Sequence, residues 1–337
     1  MTAQRRVAVR IALLLTIVAT VSACVSRSLG PQLIGVPAPV PVSELSGVTL
    51  QVGDQKGGTE ALLRAANALA NLPYKITFST FTSGPPQIEA LTAGKIDFAV
   101  TGNTPPVFGA AANSKTRVVS VWDGAAAGEQ ILVRTDSSIN SVRDLRGKTI
   151  LVVKGSAAHA NALEHLADVG LRPKDVKLVF LQPADALSAF ANGQGDAWVI
   201  WEPYTAQANL TLKVRSIGSA ENGYWFGSAS VRALTDPKRN SALADLLVRY
   251  ERAAQWARDN PSEWAKKYAK AVGLDLKIAE LAQSHLLRLP IPLDDKVVAA
   301  EQRLANLFAG ADQIPEAPDF VKWVDRRFNS VLLVSST

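Results

Sequence analysis

Between residues 48 and 200 the apolar positions fall in short runs rich in Val, Ile and Phe: Val48–Val52, Ile76–Phe81, Ile96–Val100, Val118–Val121, Ile131–Val133, Thr149–Val153, Val176–Leu181 and Ala197–Ile200. Segments with apolar side chains at helical spacing separate several of them: Glu60–Leu72, Gln87–Ala93, Ala158–Val169 and Ala184–Ala191. Alternation of this kind predicts α/β architecture with mainly parallel sheets. After about Asn240 the period is helical throughout, in Ser241–Asp259, Pro261–Val272, Ile278–His285, Asp294–Phe308 and Phe320–Phe328. Pro261 stands where a helix start tolerates a missing N–H, and Gly273 where a helix end favours glycine.

Four times a strand-like run is followed by small polar residues. They are Gln55-Lys56-Gly57-Gly58-Thr59, Thr82-Ser83-Gly84-Pro85-Pro86, Thr101-Gly102-Asn103-Thr104-Pro105-Pro106 and Lys154-Gly155-Ser156-Ala157. Ser, Thr and Asn are ordinary helix caps, and capping accounts for any one loop taken alone. Together, the loops place hydroxyls and backbone N–H groups at the carboxyl edge of a sheet. Helix N-termini there favour an anion, and ligands of open α/β sheets bind at that edge.

The 337 residues carry a formal charge of +6, half of it contributed by Arg5, Arg6 and Arg10. The remaining bias is too small to argue for nucleic acid. Ile11–Val21 is an apolar run, and Ser22 and Ala23 are small, which is the layout of an export signal over residues 1–23. Val21-Ser22-Ala23-Cys24 resembles the bacterial lipobox, so Cys24 is expected to carry a diacylglyceryl group at the new N-terminus. The rest of 24–45, with four prolines, reads as a flexible tether. One cysteine excludes an intramolecular disulfide, and with three histidines it excludes a dense zinc or iron–sulfur site.

The order and spacing of these blocks resemble the extracytoplasmic solute-binding proteins of ABC importers, and most of all the aliphatic-sulfonate and taurine binders. Nitrate, bicarbonate and thiamine-precursor binders are neighbours. The resemblance runs from about residue 46 to 330. It is carried by the first three loops above, by Gly94-Lys95-Ile96-Asp97-Phe98 and Ser141-Val142-Arg143-Asp144-Leu145-Arg146-Gly147-Lys148, and by Lys154-Gly155-Ser156. It closes with Gly195-Asp196-Ala197-Trp198-Val199-Ile200-Trp201-Glu202-Pro203-Tyr204. Glu202 stands where the family often has Asp, and Trp122-Asp123-Gly124 and Gly223-Tyr224-Trp225-Phe226 depart from its pattern.

The resemblance implies a type II periplasmic-binding, or Venus flytrap, fold: two α/β lobes with a cleft between them and a helical C-terminal extension. Lobe 1 is expected at 46–125 plus 221–337 and lobe 2 at 128–217, with hinges at Ala125–Gly128 and Gly218–Ala220. From lobe 1, Gln55, Gly58, Thr59, Ser83, Gly84, Thr101, Gly102 and Asn103 are expected to bond the sulfonate oxygens. From lobe 2, Gly155, Ser156 and Ala157 supply further donors. Trp201 and Trp225 are candidates to wall the ligand's tail, against a core role, whereas Trp198 reads as core. Glu129 and Glu202 are candidate partners of a ligand amine, against a solvated or hinge-stabilising role. Neutral donors suffice for a permanently ionised sulfonate, and with no histidine in the site the expected affinity is flat between about pH 6 and 8.

The implied partners are a small organic anion, the importer's permease subunits with the ATPase engaged indirectly, and the membrane through the lipid at the extracytoplasmic face. The chain is expected to be a monomer with no cofactor, metal or nucleic acid. Uptake of a sulfonate as a sulfur source is the implied function, with nitrate, bicarbonate or a thiamine-precursor pyrimidine as alternative ligands. An enzyme built on Ser156, His159 and Asp196 is the rival of another class, but Gly155-Ser156-Ala157-Ala158 lacks the G-x-S-x-G spacing. A structural lipoprotein is the third reading, and it leaves the four loops without a role.

Overall fold

The computed structural model describes residues 34–56, 58–286 and 288–334. The export signal, Cys24 and the first part of the tether lie outside them. The tether's described part is not free. Ile34 and Val40 pack against the core, Leu45 is fully buried, and Val40 N donates to Ser241 Oγ at 2.9 Å. Burial of these three aliphatic side chains fixes a segment whose prolines alone suggested a spacer.

The strands are β1 (Thr49–Gln55), β2 (Lys75–Phe81), β3 (Phe98–Gly102), β4 (Thr116–Asp123), β5 (Glu129–Arg134), β6 (Thr149–Val152), β7 (Lys177–Phe180), β8 (Ala197–Trp201), β9 (Val214–Ser219), β10 (Trp225–Ser230) and β11 (Leu289–Ile291). They form a six-stranded sheet ordered β11-β4-β10-β3-β1-β2 and a five-stranded sheet ordered β7-β6-β8-β5-β9. Both are mixed rather than mainly parallel. β10 runs antiparallel to β3 and β4, and β5 antiparallel to β8 and β9. β5 and β10 each enter a sheet directly after a crossing from the other, without the intervening helix that would return them parallel.

The helices are α1 (Thr59–Ala65), α2 (Gly84–Thr92), α3 (Thr104–Ala111), α4 (Ala157–Asp168), α5 (Pro183–Ala191), α6 (Tyr204–Thr211), α7 (Val231–Thr235), α8 (Pro237–Asp259), α9 (Pro261–Val272), α10 (Leu276–His285), α11 (Asp295–Gly310) and α12 (Asn329–Val334). α1 is shorter than its apolar period predicts, because Asn67 and Asn71 adopt positive φ and turn the chain into β2. Residues 320–328 form only a single 3-10 turn, after which Val324 bridges Val118. The sequence pattern missed β9, β10 and β11. β10 reads WFGSAS, small and polar. Gly227 is required there, since a Cβ would lie 2.1 Å from Ser120 Oγ and 2.9 Å from the Phe98 ring.

Each sheet has its own core. Leu243, Leu246, Leu247 and Tyr250 of α8 pack on the first sheet, and Trp198 is fully buried in the second. Two aspartates of the resemblance motifs are structural. Asp97 and Asp196 precede β3 and β8 and accept the N–H of Gln51 at 2.9 Å and of Thr149 at 2.7 Å. Asp97 also binds Arg232 and Arg239 at 2.7 and 2.9 Å. Asp196 is therefore bound into the sheet, away from Ser156 and any triad with it.

Residues 124–128 and 220–224 connect the two sheets. Gly218 and Ser219, expected in a hinge, pair within β9 against Ile131 and Gln130. The two connections touch backbone to backbone: a Cβ on Gly223 would lie 2.3 Å from the carbonyl oxygen of Gly124. Gly223→Ala is therefore expected to destabilise the fold by about 1–3 kcal/mol through overpacking, read as a lower denaturation midpoint with unchanged slope. Wild-type stability in that variant would remove the contact as a constraint.

Candidate functional site

The four loops meet where the sheets face each other, but much of their hydrogen-bonding capacity is used locally. Asp54 is buried at the end of β1, and its Oδ1 accepts the N–H of Thr59 at 2.6 Å and of Glu60 at 3.1 Å. Burial raises the Asp54 carboxyl above its usual range, against those hydrogen bonds. Pro85, Pro86, Pro105 and Pro106 remove N–H donors from the first turns of α2 and α3. Ser156 caps α4, accepting from His159 N and donating to Val153 O at 2.7 Å. Gly155 N donates to His159 Nδ1 at 3.2 Å, and burial, aided by the charge of Lys154, pushes the His159 ring down to about 4. His159 is a neutral, buried partner of its own loop.

Two cavities open between the sheets. The narrower, of about 60 Å³, lies against both connections, and the wider, of about 470 Å³, lies between α1, α5 and α9. They share Gln55, Trp201, Glu202, Trp225 and Leu286, so they form one cleft with a waist. Of the residues singled out in the sequence, Gln55, Trp201, Glu202 and Trp225 line both parts. Gly84, Gly102, Asn103, Glu129, Ser156 and Ala157 line the narrow part, and Gly58 and Thr59 the wide part. Ser83, Thr101 and Gly155 line neither. Ser83 and Thr101 are fully buried behind the wall, where Thr101 Oγ1 donates to Gly102 O at 3.0 Å and Ser83 Oγ has no partner. Gly102 is a close-approach position, since a Cβ there would meet the Ala157 side chain of the other sheet's helix at 2.9 Å.

Side chains hold the halves together across the cleft. Glu202, at the end of β8, accepts the N–H of Ala206 at 3.0 Å and pairs with Nδ1 of His285 in α10 at 2.7 Å. Burial raises the Glu202 carboxyl, and His285 opposes that shift. Ala206 of α6 packs beside Ile278 and Ala282 of α10. Thr82 Oγ1 donates to Gln182 Oε1 at 2.9 Å, joining the loops after β2 and β7.

Two side chains that the sequence pattern did not place at the cleft line it. Arg288 is 5% exposed, lines the wide part and lies 5.7 Å from the centre of the Trp225 ring. It sits at positive φ, and its carbonyl accepts from Arg258, which Glu251 holds at 2.9 Å. A histidine, His285, also lines the narrow part. Sequence reasoning missed both, together with Asn161, Glu164 and Glu221. Arg288 lies in an irregular link between α10 and β11, where no periodicity marks a buried position.

The charged groups are unevenly spread along the cleft. Lys56 and Arg288 share the lining of the wide part with Asp185 and Glu202, whereas the narrow part is lined by Glu129, Glu164, Glu202 and Glu221. Burial, with the charge of Glu164 added, pushes Glu129 up to about 8, and Asn161 opposes it. Burial, with the charges of Glu221 and Asp168, pushes Glu164 up to about 7.

The family described as NMT1/THI5 like matches residues 80–264. A relative from Escherichia coli (strain K12), named as an aliphatic sulfonates-binding protein, is 32% identical over 282 residues, 82% of this chain and 88% of that protein. The solved alkanesulfonate-binding protein SsuA from Xanthomonas axonopodis pv. citri, bound to MOPS, superposes with a TM-score of 0.75 at 30% identity, covering 83% of this chain and 99% of that one. The periplasmic aliphatic sulphonate binding protein SsuA from Escherichia coli gives 0.72 at 29% identity, covering 83% and 93%. The chain has the periplasmic-binding fold of these structures, as the sequence led us to expect.

Raised carboxyl values make the protonated forms of Glu129 and Glu164 the ones that favour folding. Their contribution is full below the ordinary glutamate value of 4.5 and is lost as pH rises through about 7 and about 8. Ligand-free stability is expected to fall across that window, and the double variant Glu129→Gln/Glu164→Gln to flatten the fall. A decline of equal size in that variant would place the titration elsewhere.

Proposed function

We propose that this chain, which belongs to the NMT1/THI5-like family, is the extracytoplasmic substrate-binding component of an ABC importer and captures an aliphatic sulfonate. The observation that carries the reading is the long cleft between two sheets with a buried guanidinium and two tryptophans at its waist, in a chain 32% identical to an aliphatic sulfonates-binding protein over most of its length. In this reading the sulfonate lies in the wide part beside Arg288 and Lys56, with Gln55 and the α1 loop around it. A buried ion of this kind is tolerable only with its counter-charge and hydrogen bonds supplied, which Arg288 does at the ligand's anionic end. Trp201 and Trp225 wall the carbon chain at the waist.

The two halves act as lobes that open and close about residues 124–128 and 220–224, and the permease reads the closed form. Glu202–His285 and Thr82–Gln182 are contacts of that form. A ligand favours closure only through what it gains there and lacks in the open form. No catalytic step is assigned, and the protein acts as a monomer without a cofactor. The lipid at Cys24 belongs to the same proposal. It rests on the lipobox-like Val21-Ser22-Ala23-Cys24 and makes the protein a tethered receptor at the outer face of the membrane.

A melting-temperature panel tests the ligand class. Alkanesulfonates are expected to stabilise the protein by about 2.7 kcal/mol at about 100-fold their dissociation constant. Sulfate, nitrate, bicarbonate and a thiamine-precursor pyrimidine are expected to leave it unchanged. Stabilisation by the inorganic ions or the pyrimidine alone would replace the substrate and keep the receptor.

A further inference from the structure

Behind the cleft lies a third cavity, of about 330 Å³, lined by residues of α1, α8, α9 and α10. It shares only Leu286 and Arg288 with the wide part of the cleft. Those two residues form a wall, with the cleft on one side and this cavity on the other.

Two buried donors of the lining lack an acceptor. Gln283 of α10 is 7% exposed, and its Oε1 accepts the indole N–H of Trp264 at 2.7 Å. An indole N–H only donates, so this bond fixes the orientation of the amide and leaves Nε2 as a donor. Nε2 has no partner. Nε of Arg288 has none either, while Nη1 donates to Leu286 O at 3.4 Å. No salt bridge compensates the Arg288 charge among the described residues. The other polar groups of the lining are engaged: Arg258 is held by Glu251 at 2.9 Å, and Ser284 Oγ donates to Leu281 O at 2.7 Å.

A buried donor left unsatisfied is costly, and two of them beside an uncompensated guanidinium call for an anionic acceptor. α9 starts at the same cavity with Pro261 and Ser262, and no side chain caps it, so its positive dipole end adds to the same sign. Glu280, the acid of the lining, is exposed, where solvent and salt screen it. Leu62, Ala254 and Ala257 make the remaining wall apolar.

We propose that this cavity is a second binding site, for a small organic monoanion with a short apolar tail, such as a short-chain carboxylate. One oxygen takes the Nε2–H of Gln283, the other the Nε–H of Arg288, and the tail lies against Leu62, Ala254 and Ala257. The site itself is independent of the sulfonate reading, whereas its effect on the cleft rests on that reading. A guanidinium has five N–H donors in one plane, enough for a ligand on each side of the wall, but its single charge is shared between them. An anion behind the wall therefore weakens the hold of Arg288 on a sulfonate in front of it, and by linkage the sulfonate weakens the second anion by the same factor. Sulfonate capture is thereby made sensitive to small organic acids in the surroundings.

Titration calorimetry on the full protein with butyrate and 1-pentanesulfonate, at constant ionic strength, tests the proposal. Butyrate is expected to bind the ligand-free protein at one site. It is expected to weaken 1-pentanesulfonate by about fivefold or more and then to reach a plateau, because both ligands can be bound together. Gln283→Met, which removes the donor and keeps the side-chain length, is expected to cost butyrate about tenfold in affinity and to leave 1-pentanesulfonate binding alone nearly unchanged. Ser262→Asp, at an exposed position where an acid suits a helix start, repels the anion and keeps the test open if Gln283→Met misfolds. Absence of butyrate binding, or binding that survives both variants, overturns the second site. A weakening of 1-pentanesulfonate that grows with butyrate without a plateau places butyrate in the cleft and overturns it as well. Butyrate binding that both variants abolish, with 1-pentanesulfonate indifferent to it, overturns the link through Arg288. Failure of alkanesulfonates to bind at all overturns the sulfonate reading instead, and butyrate with the two variants still decides the site.

Discussion

The backbone contact between Gly124 and Gly223 sets the relation of the two sheets. The chain leaves the first sheet at Asp123 and returns to it at Trp225, and the two connecting segments pass within van der Waals distance without side chains between them. Glu129 and Trp225 begin the strands that leave this crossing, and Glu221 and Tyr224 lie on it. Because β5 and β10 follow directly, both enter antiparallel to their neighbours and place their first residues at the cleft.

Around that crossing the cations, Lys56 and Arg288, line only the wide end of the site, beside Asp185 and Glu202. The wide end has a guanidinium that is buried, stacked near an indole and anchored through its own carbonyl by Arg258 and Glu251. The narrow end has carboxyls whose burial raises them toward neutrality. The two ends are kept apart by a waist of Trp201 and Trp225. The helix N-termini, which looked like the main anion donors, are largely occupied by Asp54, by prolines and by His159. The fold thus reserves much of its local polarity for its own loops, and in the proposed reading recognition falls to a few side chains brought in from the C-terminal helices and the connections.

What was legible in the sequence follows from periodicity. The eight apolar runs locate β1 to β8, because strands, the half-exposed edges β2 and β7 included, are rich in Val, Ile and Phe. Most helices after Asn240 declare themselves by spacing and by Pro261 and Gly273, whereas residues 320–328, with similar spacing, form only a 3-10 turn. β10 was invisible because its packing against Ser120 and Phe98 selects glycine and serine, residues that otherwise read as loop. Loop residues such as Gln55, Asn103 and Ala157 could be placed near the cleft from their position after a strand. Ser83, Thr101 and Gly155 satisfy the same rule and yet stand behind the wall, since pattern gives the edge of a sheet but not the direction of a side chain. Arg288, Asn161 and Glu164 come to the cleft only through tertiary packing of α10, β11 and α4, which no local signal encodes.

The role of Arg288 is the point on which this account turns. Calorimetric titration of an alkanesulfonate into the wild type and into Arg288→Met, with both folds checked by melting, addresses it directly. The account predicts a loss of affinity of about tenfold or more in the variant, in line with the removal of a hydrogen bond to a charged group. Undiminished affinity in a folded Arg288→Met protein would contradict it and move the anion to another part of the cleft.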